Sequence, residues 1–298
     1  MSRGKPSGPA RRGQGRGGGQ SKGGRGGQAR RGGRGQRGTT PVRGDQRTDR
    51  PKGPGGDIVE GRHAVRELLL AGNRKTREVL FAADLDPAPI LDEIVDLADE
   101  AHVEIREISR AKFEAQARTD APQGVIARAQ PLPDLELDDV LATSDGSPPF
   151  LLVLDGITDP GNLGALLRTG ECAGVTGVVL PRHRAARITP TVAKSAAGAI
   201  EHLPIATVTG IPKALTDLET HGIWSVGLDV AADTTVYDMT VADGPVALVL
   251  GAEGRGLSRL ARERCDLVVT IPIHGVLGSL NVSAAAAVAC FEVAHRRA

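Results

Sequence analysis

The second half of this sequence predicts an α/β fold built on a parallel sheet. From residue 150 onward, short apolar runs such as FLLVLD, GVVLP and VALVL alternate with stretches of helical periodicity. Runs of five or six apolar residues are too short for helices, and strands that are apolar on both faces are typical of a parallel sheet covered by helices on both sides. Such sheets bind ligands in loops at the carboxyl ends of their strands. Functional residues are therefore expected in those loops.

The elements of this half follow one another in a regular order. The strand FLLVLD precedes the turn GITDPGN and the helix LGALLRTGECAG, and then come the strand GVVLP, the helix TPTVAKSAAGA and the strand LPIATV. After a further helix come the strands IWSVGL and VALVL, the loop GAEGRG opening a helix, the strand LVVTIPI and an alanine-rich segment. This alternation predicts one domain at residues 149–298.

A smaller α/β domain is predicted at residues 57–133. Val65, Leu68 and Leu69 recur at helical spacing, while REVLFA, VEIREI and GVIARA are typical of strands. The segments PAPILDEIVDLADEA and SRAKFEAQA predict helices between them. Residues 134–148 are acidic and rich in proline, which is the composition of a linker, with a short helix inside it.

The first 56 residues are of low complexity and are predicted to be a disordered arm. They hold 19 of the 39 glycines, and residues 1–52 contain fifteen Lys and Arg against Asp45 and Asp49, a net charge of +13. The remaining residues carry 22 basic and 34 acidic groups, a net charge of −12. Gly/Arg segments bind RNA through phosphate charge and guanidinium stacking, so RNA is the expected partner. A solubilising extension is the alternative.

Several other classes of protein are disfavoured. No stretch approaches the roughly 18 apolar residues that a membrane span needs, and the N-terminus lacks the apolar segment of a signal peptide. Cys172, Cys265 and Cys290 lack the spacing of a disulfide framework or a metal site. The sequence therefore predicts a cytoplasmic protein that binds neither membrane nor metal.

Three loops carry unusual polar residues. In DGITDPGNLGALLRTG, Asn162 is the predicted helix cap and Arg168 follows six residues later. In LVLGAEGRGLS, the glycines let a ligand approach the backbone, and Glu253 favours a polar or cationic ligand over phosphate. In IPIHGVLGSLNVS, Ser279 and Asn281 precede four alanines, which allow the helix to lie close to another segment. Taken singly, each of these residues could also be purely structural.

Taken together and in order, DPGNLGALLRT, LGAEGRGLS and IPIHGVLGSLNVSAAAA resemble the three signature motifs of the SpoU (TrmH) family of RNA ribose 2′-O-methyltransferases. The resemblance covers residues 150–298. It implies an α/β SPOUT domain with a C-terminal trefoil knot that binds S-adenosylmethionine, and a homodimer packed through that domain. EGRHAVRELL and QGVIARA resemble the family's substrate-binding domain, which is related to ribosomal protein L30e. Pro122 departs from the pattern, since relatives commonly have His before the Gln-Gly pair.

The resemblance also implies a role for individual residues. An arginine side chain stays protonated, so Arg168, the family's proposed base, is better suited to bind a phosphate and stabilise the developing alkoxide. The implied polar site consists of Asn162, Arg168, Glu253, Ser279 and Asn281, and the implied cofactor site consists of Leu250, Gly251, Gly254, Ile271, Pro272 and Leu280.

The predicted function is S-adenosylmethionine-dependent 2′-O-methylation of a ribose in structured RNA, with a guanosine of 23S ribosomal RNA favoured. A transfer RNA ribose methyltransferase and a non-catalytic RNA-binding protein are the alternatives. An NAD-dependent oxidoreductase would need GxGxxG after the first strand of the larger domain, and the loop GITDPGN does not provide it.

Overall fold

The structure of the protein, a computed structural model, describes residues 54–142, 146–183 and 185–298. The predicted Gly/Arg arm at residues 1–56 therefore lies outside the described residues, except for its last three positions. None of the helices in the described ranges is long and apolar enough to cross a membrane.

Residues 58–129 form a small mixed sheet with helices packed against it. The helix over Val65, Leu68 and Leu69 is confirmed, and these side chains are buried. The elements are β1 (Ile58–Glu60), α1 (Arg62–Ala71), β2 (Thr76–Ala82), α2 (Pro89–Glu100), β3 (Glu104–Ile108), α3 (Arg110–Glu114) and β4 (Val125–Ala129). The strand order is β1-β4-β2-β3, in which β2 and β3 are parallel and the other pairs are antiparallel.

The segment between the two sheets is partly packed. The short helix predicted inside it is present as α4 (Leu137–Ala142), and it buries Leu137 and Val140. Leu135 forms a bridge with Ala206 of the larger sheet. The division of the chain into an arm, two domains and a linker stays a prediction, and within the predicted linker Leu135 and the helix α4 pack against the larger domain.

The second half of the chain forms the predicted parallel sheet. Its elements are β5 (Phe150–Asp155), α5 (Pro160–Cys172), β6 (Gly177–Pro181), α6 (Pro190–Ser195), β7 (Ile205–Val208), α7 (Ile211–Thr220), β8 (Trp224–Leu228), β9 (Thr234–Thr235), β10 (Val246–Gly251), α8 (Arg259–Arg264), β11 (Leu267–Thr270) and α9 (Val282–Arg297). The strand order in the described residues is β7-β6-β5-β10-β8-β11-β9, and every pair is parallel.

Aliphatic side chains hold helices against both faces of this sheet. Residues from α5, α6 and α9 form one buried cluster, and residues from α4, α7 and α8 form the other. The central strand β5 contributes alternate side chains to the two clusters, so all of residues 150–154 are buried. Burial of such side chains contributes about 1.5–3 kcal/mol each, which explains why uninterrupted apolar runs predict these strands correctly.

Some predicted elements are shorter than the sequence suggests. The helix expected over residues 109–117 ends at Glu114. The strand expected to reach Ile273 ends at Thr270, because Pro272 has no backbone N–H to continue the ladder of hydrogen bonds. The loop GAEGRG does not open a helix, which corrects the prediction. It folds back through a bridge between Ala252 and Gly256, and α8 begins only at Arg259. Strands β1 and β9 were missed because they are only three and two residues long.

A buried ion pair joins the two sheets. Arg74, just before β2, donates from Nε to Oε2 of Glu201 at 2.8 Å and from Nη2 to Oε1 at 2.5 Å. The two side chains are only 3% and 1% exposed. Arg74 also donates to the backbone carbonyls of Gln130 and Gly56, so most of its donors are satisfied. A charge pair this well hydrogen-bonded fixes one sheet relative to the other.

Replacing Glu201 by alanine should destabilise the protein strongly, because it leaves the Arg74 guanidinium buried without its counter-charge. The expected loss is about 3–5 kcal/mol in the free energy of unfolding, measured by urea denaturation. Glu263→Ala is the control, since Glu263 pairs with Arg259 on an exposed helix face and should cost under about 1 kcal/mol. Equal losses of unfolding free energy for the two variants would show that the buried pair stabilises the protein no more than an exposed pair does.

Candidate active site

A cavity of about 650 Å³ lies at the carboxyl ends of β8, β10 and β11. Glu253, Ser279 and Asn281 of the predicted polar site line it. Of the residues predicted to hold a cofactor, Pro272 is not in the wall, and the others are: Leu250, Gly251, Gly254, Ile271 and Leu280.

The glycine-rich loop after β10 forms one wall by folding tightly back on itself. A Cβ added to Gly251 would lie 2.0 Å from the carbonyl carbon of Gly256 and 2.2 Å from the backbone nitrogen of Leu257. Gly254 and Gly256 have φ values of 75° and 65°, in the left-handed region that favours glycine. The loop therefore presents backbone rather than side chains to much of the cavity.

The first helix of the larger domain is capped by a residue that the sequence analysis overlooked. Asp159, not Asn162, is the N-cap of α5, and its carboxylate accepts from the Asn162 backbone N–H at 2.6 Å. Pro160 occupies the first helical position, where its missing N–H costs nothing. The prediction of Asn162 as the cap is therefore wrong, and its side chain is free to form other contacts.

Three side chains from the three loops form a hydrogen-bonded chain at the cavity. Asn162 Nδ2 donates to Glu253 Oε2 at 3.0 Å, and Asn281 Nδ2 donates to Asn162 Oδ1 at 3.0 Å. Asn281 Oδ1 accepts from the backbone N–H of Ser283 at 2.9 Å, so Asn281 is also the N-cap of α9. Both amides are thus held in one orientation, and the predicted convergence of these three residues is observed.

Ser279 and Arg168 stand outside this hydrogen-bonded chain. Ser279 is exposed on the cavity wall. Arg168 is exposed on α5, and it is not among the residues that line the cavity. Six residues separate it from Asn162 within one helix, which places the two side chains about 120° apart around the axis. The structure does not bring Arg168 into the polar cluster.

Small residues in α9 let this helix approach α5 closely. Ala286 and Ala289 of α9 are fully buried, and α9 packs against α5. This contact brings the start of α9, with Asn281, next to the start of α5, with Asn162. The alanine run therefore has the packing role expected from the sequence, and it also positions the polar cluster.

Asp229 is a cavity residue that the sequence analysis missed. It follows β8 directly and lines the cavity, and its Oδ2 accepts from Arg262 Nε at 3.0 Å. An acidic residue immediately after the strand IWSVGL, at the carboxyl edge of a parallel sheet, was the signal that could have identified it. Within the described ranges, no group of three His, Cys, Asp or Glu side chains could hold a metal ion.

The fold and the cavity define an α/β protein that binds a small molecule at the carboxyl edge of its sheet, with polar side chains from three loops beside it. The chain belongs to the SpoU rRNA methylase family, whose model matches residues 149–291. A second family model, described as RNA 2′-O ribose methyltransferase substrate binding, matches residues 58–135.

Relatives with known names are similar over nearly their whole length. The chain is 42% identical over 243 residues to the 23S rRNA (guanosine-2′-O-)-methyltransferase of Ralstonia nicotianae, which covers 80% of this chain and 96% of that protein. It is 40% identical over 242 residues to the enzyme of the same name from Yersinia pestis, which covers 81% of this chain and 98% of that protein.

Solved structures share the fold. The SpoU methyltransferase AviRb from Streptomyces viridochromogenes, solved in complex with AdoMet, is similar with a TM-score of 0.68 at 24% identity over 80% of this chain and 89% of that chain. A crystal structure of an RNA 2′-O ribose methyltransferase is similar with a TM-score of 0.64 at 27% identity, over 80% of this chain and 88% of that one.

Proposed function

We propose that this protein transfers the methyl group of S-adenosylmethionine to the ribose 2′-oxygen of a guanosine in 23S ribosomal RNA. The observation that carries the proposal is the chain of hydrogen bonds from Glu253 through Asn162 to Asn281 beside a cavity walled by backbone. The relatives at about 40% identity are named 23S rRNA (guanosine-2′-O-)-methyltransferases, which supports ribosomal RNA over transfer RNA as the substrate of this protein. Methylation of ribosomal RNA would place the protein in the cytoplasm.

The cavity suits S-adenosylmethionine in size and in chemistry. Its volume of about 650 Å³ lies within the range of roughly 300–1,000 Å³ typical of cofactor sites. Backbone groups around Gly251, Ile271 and Leu280 can bind the cofactor's adenine, and Asp229 offers a carboxylate oxygen to hydroxyl groups. When bound, S-adenosylmethionine supplies an electrophilic methyl group on a sulfonium centre.

The protein's own residues orient the ribose and handle its proton. The Asn162–Asn281 pair fixes Glu253, whose second oxygen is left to accept from a ribose hydroxyl. Ser279, on the same wall, adds a hydroxyl that can donate or accept. Arg168 is exposed and positively charged but lies outside the polar cluster, so we assign it to the RNA phosphate next to the reacting ribose, while the proton passes to phosphate or water.

A non-catalytic RNA-binding role is the weaker alternative. A binding protein has no need for a backbone-walled cavity beside three side chains that hold one another in a fixed orientation. Titrating the full-length protein with S-adenosylmethionine in a calorimeter tests the proposal, and one site per chain is expected. An absence of heat at millimolar S-adenosylmethionine would overturn it.

The trefoil knot and the homodimer belong to the same proposal. The end of α9 is held by Arg297, which donates from Nη1 to the Pro148 carbonyl and from Nε to the Ala242 carbonyl, both at 2.9 Å. These contacts hold the end of α9 between two segments that are distant in sequence, which supports the proposal that this end is threaded through a knot. Val276 and Leu277 are highly exposed in the loop before α9, which supports a partner subunit on this side. Sedimentation of the full-length protein should give a dimer, and a monomer at micromolar concentration would contradict this part.

Asn281→Asp separates the capping role of this residue from its role in the polar cluster. The carboxylate still accepts from the Ser283 N–H, so thermal stability should be nearly unchanged. The N–H donor to Asn162 is lost, so the rate of methyl transfer should fall by about tenfold or more. A tenfold change corresponds to the free energy of about one hydrogen bond. If transfer is unchanged at equal stability, the cluster does not orient the ribose.

The basic arm should strengthen binding to RNA without choosing the nucleotide. Deleting residues 1–52 removes a net charge of +13, so affinity should fall and its dependence on salt should flatten. The methylated position should stay the same, because contacts between arginine side chains and phosphates carry no sequence information. Binding curves for both proteins over a salt series decide the matter. Identical slopes would leave the arm as a solubilising extension, and a shifted methylation site would show that it reads sequence.

A further inference from the structure

A second cavity, of about 720 Å³, adjoins the first at the glycine-rich loop. It opens at the carboxyl ends of β5, β6 and β7, where Gly156, Pro181 and Thr209 line it. Ala252, Arg255 and Gly256 line both cavities, so this loop borders each of them. The family comparisons and the proposed mechanism assign no role to this space.

Asp155 is the acidic group of this cavity, and it is held in a fixed orientation. Its Oδ2 accepts from the backbone N–H of Ser258 at 2.7 Å, and the side chain is half-buried. Its Oδ1 forms no hydrogen bond with any of the described residues. The cavity therefore contains a carboxylate that can still accept from a ligand.

The rest of the wall is apolar inside and basic at the edge. Ile211, Pro212 and Leu257 provide apolar surface, and exposed His183 and Arg255 provide basic groups. A carboxylate repels phosphate but accepts from the N–H groups of a base, while apolar side chains pack against its ring. Among the RNA bases, guanine alone offers two neighbouring donors, N1–H and N2–H, that match the two oxygens of one carboxylate.

The cavity is also placed correctly for the nucleoside whose ribose reaches the polar cluster. A Cβ on Gly156 would lie 3.9 Å from the Cβ of Ala252, and Glu253 is the next residue along the loop. The ribose site and the second cavity thus adjoin at one short stretch of backbone, which is compatible with a ribose at one and its base in the other.

We propose that the second cavity binds the guanine base of the nucleotide to be methylated, with Asp155 accepting from N1–H and N2–H and with His183 and Arg255 facing the RNA phosphates. This inference rests on the proposed function and adds to it the group that selects the base. Asp155 is then a residue that determines specificity.

Binding of single nucleotides to the full-length protein saturated with S-adenosylhomocysteine tests the inference. Saturation-transfer NMR should show GMP binding about tenfold more tightly than IMP, which lacks the N2 amino group, and than AMP. In Asp155→Asn the amide oxygen still accepts from Ser258, yet the preference should shrink to within about twofold. Asp99→Asn, an exposed change on α2, should keep the preference of the parent protein.

The outcomes separate this inference from the proposed function. Equal affinity for the three nucleotides, no detectable binding of GMP, or a preference that persists in Asp155→Asn would each overturn the cavity assignment. Thr209→Trp, at the exposed rim, covers the case in which Asp155→Asn fails to fold, and it should abolish GMP binding by filling the cavity. Calorimetry with S-adenosylmethionine on the same proteins, prepared without S-adenosylhomocysteine, reports on the proposed function, since a loss of that binding would concern the first cavity and not the second.

Discussion

Gly251→Ala should weaken binding of S-adenosylmethionine by up to about 100-fold while the parallel sheet remains folded. The new Cβ would lie 2.0 Å from the carbonyl carbon and 2.2 Å from the carbonyl oxygen of Gly256. These are backbone atoms, so no side-chain rotation can relieve the overlap, and the loop must move away from β10. Overpacking of this kind costs typically 1–3 kcal/mol, and if that cost falls on the bound conformation, affinity drops by up to about 100-fold. Calorimetric titration measures the loss directly.

Gly174→Ala is the matched control for this prediction. Gly174 follows the end of α5 with φ of 81°, and a Cβ there would meet nothing within 4 Å. Its substitution adds backbone strain but leaves both cavities intact, so stability should fall by about 1 kcal/mol without any change in cofactor affinity. If Gly251→Ala binds S-adenosylmethionine as the parent does, the loop does not shape the cofactor site.

Arg168→Ala should abolish methyl transfer and leave cofactor affinity within about twofold. Arg168 is exposed on α5 and is not part of the cofactor cavity wall, so nothing in that cavity is lost. Loss of the phosphate contact lets the ribose move away from the methyl group, and a misplacement of about 1 Å costs about 100-fold in kcat. Single-turnover transfer of labelled methyl to ribosomal RNA, with calorimetry in parallel, separates the two effects.

Arg168→Lys and Arg264→Ala complete that experiment. Lysine keeps the charge but not the two-pronged geometry that suits phosphate, so it should restore only part of the activity. Arg264, at the end of α8, is a basic residue of the same domain that is not part of the cofactor cavity wall, and its removal should leave transfer unchanged. If Arg168→Ala loses cofactor binding as much as activity, Arg168 acts at the cofactor cavity and not on the RNA.

The sheet could be predicted from the sequence because its strands are apolar on both faces. Runs such as residues 150–154 have no other stable environment, and helices on both sides follow from that burial. Strand β9 could not be predicted, because its two threonines pair only with the already formed edge of β11. The cap of α5 is predictable, since Asp159 followed by Pro160 is a typical helix start, although Asn162 is a second residue of the capping type three positions later.

The polar site was predicted as a set of residues, and its geometry was not. Resemblance to three motifs brought Asn162, Glu253 and Asn281 together, although no local pattern links residues separated by 91 and 119 positions. The near-contact of Gly251 with Gly256 and the position of Arg168 away from the cluster depend on how the loop and α5 pack. Such tertiary features leave no periodic signal in the sequence.

Methyl transfer to a ribose oxygen of ribosomal RNA can be measured on the RNA itself. Unmodified 23S ribosomal RNA is incubated with the full-length protein and S-adenosylmethionine, digested to nucleosides and analysed by mass spectrometry. One new 2′-O-methylguanosine per RNA molecule is expected with the parent protein, and none with Arg168→Ala. A methyl group found on a base, or no methylated nucleoside from a protein that binds S-adenosylmethionine, would contradict it.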